Sequence, residues 1–188
     1  MRPVRLTEVA RQAVCDALCP GDLAIDATVG NGHDTRFLAE TVAPDGKVLG
    51  LDVQQAALDA TRVRLDAIWP SSRGSPVDLF RCGHEQLRRT VPPDWHGRVG
   101  AVMFNLGYLP GGDKTLITRR ETTLAALDQA LPLLRPGGLI SLMVYRGHPG
   151  AQDEADAISQ WALGLTGNFE VTHHDSPGPC LYLIERRC

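Results

Sequence analysis

The chain is short of lysine, of long apolar runs and of paired cysteines, and each shortage removes a class of protein. No apolar stretch approaches the roughly 18 consecutive residues that a membrane helix needs. Met1–Leu18 is itself interrupted by Arg2, Arg5, Glu8, Arg11 and Asp16, so neither a signal peptide nor an anchor is expected. The five cysteines (Cys15, Cys19, Cys82, Cys180 and Cys188) are odd in number and show no CxxC spacing. That argues against a disulfide framework and a zinc site, and for reduced thiols in a cytoplasmic protein. A net charge of −3 denies the chain the overall positive potential that is the simplest footprint of a nucleic-acid binder, although a local patch stays open. Only Lys47 and Lys114 among the 19 basic residues are lysines. The arginine pairs Arg88-Arg89, Arg119-Arg120 and Arg186-Arg187 either suit phosphates or form solvated faces. What remains is 188 residues with 43% hydrophobic content, enough for one domain over 1–188 with a sizeable core.

Strand and helix signals alternate along that domain. A leading helix over Thr7–Leu18 stops at Cys19-Pro20-Gly21, and five short apolar runs read as strands: Leu23–Ala27, Lys47–Val53, Val77–Arg81, Val99–Asn105 and Leu139–Tyr145. Helical spacing fills His33–Thr41, Gln54–Ile68, Ile117–Leu134 and Ala151–Leu165. Alternation of this kind predicts a parallel sheet with helices on both faces. The end of the chain departs from it: Phe169–His174 and Cys180–Glu185 are separated only by Asp175-Ser176-Pro177-Gly178-Pro179. Five residues cannot hold a crossover helix, so these strands should pair as an antiparallel hairpin. A seven-stranded, mostly parallel α/β sheet closed in this way resembles the class I methyltransferase fold, Rossmann-like in its first half.

The first strand leads into LAIDATVGNGHD, Leu23–Asp34, and the second ends in LDV, Leu51–Val53. A glycine turn between strand and helix, followed by an acid at the end of the next strand, builds a pocket for a nucleoside, and S-adenosylmethionine is the cofactor expected. Thr28, Gly30, Asn31 and Gly32 let the backbone reverse beside a ligand. Asp26 can accept from the cofactor's ammonium, directly or through water. Asp52, with Val53 and Gln54 beside it, can accept both ribose hydroxyls or cap the following helix. Cys82, Gly83 and His84 fall where the adenine would lie, with His84 stacking on it or opening the next helix. His33 and Asp34 face the cleft or, for Asp34, cap their own helix. Thr35 stands where GxGxxG would need its third glycine, which with the hairpin argues against a nicotinamide-dependent dehydrogenase or a non-catalytic nucleotide-binding module.

The fourth strand runs into Asn105-Leu106-Gly107-Tyr108-Leu109-Pro110-Gly111-Gly112-Asp113-Lys114, at the sheet edge where open α/β sheets bind ligands. Asn-x-x-Tyr is similar to the Asn-Pro-Pro-Tyr signature of amino-group methyltransferases, with Leu106 and Gly107 in place of the prolines. That similarity implies that Asn105 and Tyr108 orient a target nitrogen, with Asn105 also bordering the cofactor. Gly107, Asp113 and Lys114 would meet the substrate, as would Tyr145 by stacking on a base, Arg146 on RNA backbone, and His148. Asp34, Asp113, His33, His148 or bulk water can take the proton. The loop has no cysteine for carbon methylation, and two lysines speak against the lysine-centred tetrad of a ribose methylase.

DATVGNGHDT, FNLGYLPGGDK, Thr122-Thr123, LRPGG and YRGHPG together resemble one family over about Thr7–Arg187: the small class I methyltransferases labelled rRNA methylases, similar to bacterial tRNA wobble-uridine methyltransferases. The resemblance implies N-methylation of 5-aminomethyl-2-thiouridine at the first anticodon position. It also implies that this domain, alone or as a homodimer, grips the anticodon arm. Methylation of another RNA, such as rRNA, or of a small-molecule amine is the alternative that the acidic charge keeps open.

Overall fold

The structure, a computed structural model, describes residues 5–69, 74–109, 111, 116–147 and 150–188. In chain order the elements are α1 (Leu6–Ala17), β1 (Leu23–Asp26), α2 (His33–Val42), β2 (Lys47–Asp52), α3 (Gln55–Asp66), β3 (Val77–Arg81), a helical turn His84–Gln86 leading into α4 (Leu87–Thr90), β4 (Val99–Leu106), α5 (Arg120–Ala130), β5 (Leu134–Val144), α6 (Ala151–Gly164), β6 (Phe169–His174) and β7 (Cys180–Arg186). The strands form one sheet in the order β3-β2-β1-β4-β5-β7-β6. β1 to β5 are parallel, and β7 runs antiparallel to both neighbours. The order reverses between β1 and β4, and at such a switch the strand ends splay to leave a crevice.

Alternation along β4 shows how the sheet is covered. Val102, Phe104 and Leu106 join the layer containing Leu87, Leu127 and Ile158 from α4, α5 and α6. Ala101 and Met103 point the other way, onto Val14, Leu38 and Val42 of α1 and α2. Each fully buried Leu, Ile or Phe in these layers contributes about 1.5–3 kcal/mol. The apolar run of β7 buries Cys180, Leu181, Tyr182 and Ile184, which suits a strand flanked on both sides. β6 is largely solvated, and it takes the edge.

Two elements differ from their predicted spans. The helix expected over Ile117–Leu134 is α-helical only over Arg120–Ala130, then tightens through Leu131–Leu133, because Pro132 cannot continue an α-helix. β5 begins at Leu134 instead of Leu139, running through Arg135-Pro136-Gly137-Gly138 with a register shift against β4 between Val99 and Ala101. An irregularity of this kind is where a strand tolerates proline.

Candidate functional site

The site is built from the C-terminal ends of β1, β2, β3 and β4. After Asp26 the chain turns through Thr28–Gly32, with Gly30 at φ +53° and Gly32 at φ +74°. Gly32 is required twice over, since a Cβ there would lie 2.5 Å from the Thr61 hydroxyl of α3. The Asp52 carboxylate spans two backbones: one oxygen accepts from the Gly30 N–H and the other from the Gln54 N–H, both at 2.8 Å. Asp52 thus ties the glycine turn to the start of α3, and each oxygen keeps a lone pair for a ligand hydroxyl. Burial pushes its pKa above the ordinary carboxylate value. The Gly30 N–H is thus engaged by this carboxylate, and the Gly32 N–H by the Val29 carbonyl at 2.9 Å.

Thr28, Gly30 and Asp52–Gln54 form one wall of a cleft of about 390 Å³, within the range of small-ligand pockets. Cys82, Gly83 and His84 form the second wall at the end of β3. His84 is buried, both opens the helical turn and lines the cleft, and meets Phe104 edge-on at 5.9 Å between ring centroids. Burial lowers its pKa to about 4, against the pull of Glu85, so its imidazole is neutral at pH 7. The third wall is Asn105, Gly107 and Tyr108 with the returning strand-like segment. That segment is held by a Tyr108–Ile117 bridge and by the Thr118 N–H donating to the Gly107 carbonyl at 3.0 Å.

Asn105 joins the walls. Its backbone N–H donates to the Thr28 hydroxyl at 2.7 Å, and its side-chain Nδ2 donates to Asp34 at 2.8 Å. Asp34 in turn pairs with Arg11 of α1 at 2.9 Å. Asp34 therefore does not cap its helix, whose N-cap is Gly32.

Asp26 departs from the sequence expectation. It has no exposed surface, and its oxygens accept from the Thr28 N–H at 3.1 Å and the Thr35 hydroxyl at 2.6 Å, so it supports the turn from behind and has no direct path to a ligand ammonium. Burial, then the nearby charge of Asp34, raises its pKa from 3.8 to about 7. Asn31, Gly32, His33 and Asp34 likewise stand outside the cleft lining. The Asn31 carbonyl accepts from Arg64, and the His33 ring lies 3.2 Å from the same guanidinium. Tyr145 is 41% exposed at the end of β5, its hydroxyl pKa raised by burial and by Asp34. Arg146 pairs with Asp175 of the hairpin turn at 2.7 Å. Asp113, Lys114 and His148 lie outside the described residues. Sequence reasoning missed Leu116, Ile117 and Thr118 as a wall of the cleft; Leu109, Arg119 and Thr122, named there only within the loop, an arginine pair and a motif, line it too. The signal was available in Thr118-Arg119, polar residues that precede the true helix start.

Comparison with known proteins gives the family. Residues 48–177 match the family described as Putative rRNA methylase. The chain belongs to that family. A crystal structure from Clostridium thermocellum, described as a putative rRNA-methylase, superposes with a TM-score of 0.90 at 33% identity, covering 99% of this chain and 100% of that one. A putative methyltransferase from Streptococcus mutans, solved in complex with SAH, gives 0.84 at 32% identity, covering 98% and 99%. These neighbours share the class I methyltransferase fold, with its terminal antiparallel strands. Among curated relatives, the tRNA (mnm(5)s(2)U34)-methyltransferase, chloroplastic, of Arabidopsis thaliana is 42% identical over 166 residues, 86% of this chain and 60% of that protein. The chain thus spans about three fifths of that relative's length.

Proposed function

We propose that this family member is an S-adenosylmethionine-dependent N-methyltransferase that acts on the 5-aminomethyl group of the wobble uridine of tRNA, giving the 5-methylaminomethyl nucleoside. The observation that carries the reading is the meeting of Asp52 and Asn105 in one cleft: a carboxylate suited to a ribose diol faces an amide suited to a nitrogen nucleophile. The cofactor fits the residues present. Asp52 offers two acceptor oxygens, and neutral His84 with the backbone at Cys82 and Gly83 offers a wall for the base.

When bound, S-adenosylmethionine supplies a methyl carbon activated by its sulfonium charge, so that the C–S bond breaks as the amine lone pair forms the N–C bond. The chain has then to hold a neutral amine in line and close to the cleft wall. Asn105 and Tyr108 orient that nitrogen from the end of β4, and Gly107 leaves room beside them. Asp34 and His33 are engaged with Arg11 and Arg64 and His84 is a weak base, which leaves Asp113, His148 or solvent to take the released proton. Tyr145 offers a half-exposed ring for a neighbouring base. Asp113, Lys114, Arg146 and His148 we assign to substrate contact, as the sequence motifs imply. The substrate arm is gripped by this one domain, alone or as a homodimer, in the cytoplasm, where its five free cysteines stay reduced.

The Arabidopsis relative's stated activity and the SAH held by the Streptococcus mutans protein support this assignment. Mass spectrometry of tRNA nucleosides from a deletion strain tests it. The expected result is loss of 5-methylaminomethyl-2-thiouridine with accumulation of the unmethylated amine. An unchanged nucleoside profile, in a strain with no second enzyme for the step, rejects it. Methylation of another RNA or of a small amine is the second reading, favoured by the net charge of −3; methyl transfer to small amines but not to tRNA would select it.

A further inference from the structure

We infer that Arg11 and Asp34 are positioning residues that lock the Asn105 amide in one of its two orientations, so that the cleft presents an acceptor and selects a ligand carrying an N–H. The inference rests on the proposed amine substrate for its catalytic meaning, but its geometry stands without it.

An asparagine amide can turn either end towards a ligand, and the two ends make opposite demands: the NH2 donates and the Oδ1 accepts. The Asp34 carboxylate settles which end is where. It sits 2.8 Å from the Asn105 amide, and a carboxylate facing a guanidinium offers acceptors only, so the amide end beside it has to be the NH2. Turning the amide over would set Oδ1 against a carboxylate oxygen. The planar amide then leaves Oδ1 as its other end. Asn105 lines the cleft and Asp34 does not, so Oδ1 is the end available to a ligand.

Asp34 is fixed in its turn. Arg11 reaches its second oxygen at 2.9 Å, also meets the His33 carbonyl at 3.4 Å, and lies over the Phe37 ring at 5.1 Å from its centroid. The pair is 45% and 23% exposed in its side chains, and ion pairs so open to solvent add little stability. What it adds is direction, because a carboxylate held at both oxygens cannot rotate away from the amide. The backbone of Asn105 is pinned separately by the Thr28 hydroxyl at 2.7 Å, which leaves the amide rotation as the one degree of freedom that Asp34 controls. A target nitrogen that donates a hydrogen to Oδ1 has its lone pair directed elsewhere, and misdirecting it by about 1 Å costs on the order of 10²-fold in rate.

Two measurements test this. In the first, NMR follows the Asn105 side-chain NH2, assigned by its disappearance in Asn105→Asp, in the ligand-free protein. The expected wild-type signal is displaced from the free-amide position and protected from solvent exchange, and Asp34→Asn, which removes the fixed acceptor, returns it to the free position. A wild-type signal already at that position overturns the inference. In the second, single-turnover methyl transfer to tRNA is compared with SAH affinity by calorimetry. Asp34→Asn should lose roughly 10- to 100-fold in rate with SAH affinity unchanged within about twofold. Arg11→Ala should lose less, and Arg11→Lys, which keeps a cation beside Asp34, should recover most of that loss. An active wild type matched in rate by Asp34→Asn overturns the inference. A wild type that transfers no methyl to tRNA defeats the substrate assignment instead, and the NMR result alone then decides the orientation.

Discussion

At the scale of single residues the proposed function divides the site into groups assigned to the cofactor and groups assigned to the acceptor, and kinetics can tell them apart. Asp52→Ala leaves the Gly30 and Gln54 amides without their shared acceptor and removes the ligand's own, so SAH affinity should fall about tenfold or more, read by calorimetry. Asn105→Ala should leave that affinity within about twofold and lower the turnover rate by about 10²-fold, read by single-turnover assay; the reverse pattern would exchange the two roles. Asp26 and His84 make a second, opposed pair. Native Asp26 keeps its proton up to about pH 7 whereas the unfolded chain releases it near 3.8, so its contribution to stability is complete below 3.8 and is lost as pH rises through 7. Native His84 refuses a proton until about pH 4 whereas the unfolded chain takes one near 6.5, so its contribution is complete above 6.5 and is lost as pH falls through 4. Between about pH 4 and 6.5 the two slopes oppose each other, each at most about 1.4 kcal/mol per pH unit. Asp26→Asn removes one of them, and urea unfolding across that range should show the variant gaining stability with pH more steeply than the wild type.

At the scale of elements the turn between β1 and α2 is the least replaceable piece. Gly32→Ala would place a methyl against Thr61 in a backbone conformation that L side chains rarely adopt, at a cost of about 1–3 kcal/mol. That predicts a thermal midpoint lower by roughly 2–12 °C for a domain of this size, read by calorimetric melting; an unchanged midpoint would mean that α2 and α3 can move apart freely. This turn was legible in the sequence, as were every strand and the terminal hairpin, because glycine spacing and short apolar runs are local signals. The wall made by Ile117 and Thr118 was not. Ile117 has helical spacing with Leu124, and only its pairing with Tyr108 across the loop withdraws it from the helix. The burial of Asp26 was hidden for a similar reason, since a strand-terminal acid reads as a ligand group until Thr35 is seen to cover it from the next helix. The Arg11–Asp34–Asn105 chain joins three elements and has no local signature at all.

At the scale of the whole molecule the net charge is −3, so on the proposed RNA substrate the phosphate contacts are expected from a local arginine patch and not from the overall potential. Arg119 lines the cleft mouth, is exposed, and precedes α5. Arg119→Ala should weaken tRNA binding and reduce the slope of log affinity against log salt by about 0.7–0.9, with SAH affinity unaltered; an identical slope would place the RNA elsewhere. The link between the Thr28 hydroxyl and the Asn105 backbone, bridging 77 positions of sequence, bears on how the two ligands meet. On the proposed assignment the turn for the nucleoside and the strand end for the amine share that bond, and ordering of either is expected to bear on the other. The expected consequence is that occupancy of one half-site changes the affinity of the second, by the same factor in both directions. Titrating SAH into the enzyme with and without an anticodon stem-loop should give two different dissociation constants. With Thr28→Val, which cannot accept that bond, the two should converge, leaving an enzyme that binds each ligand as though the other were absent.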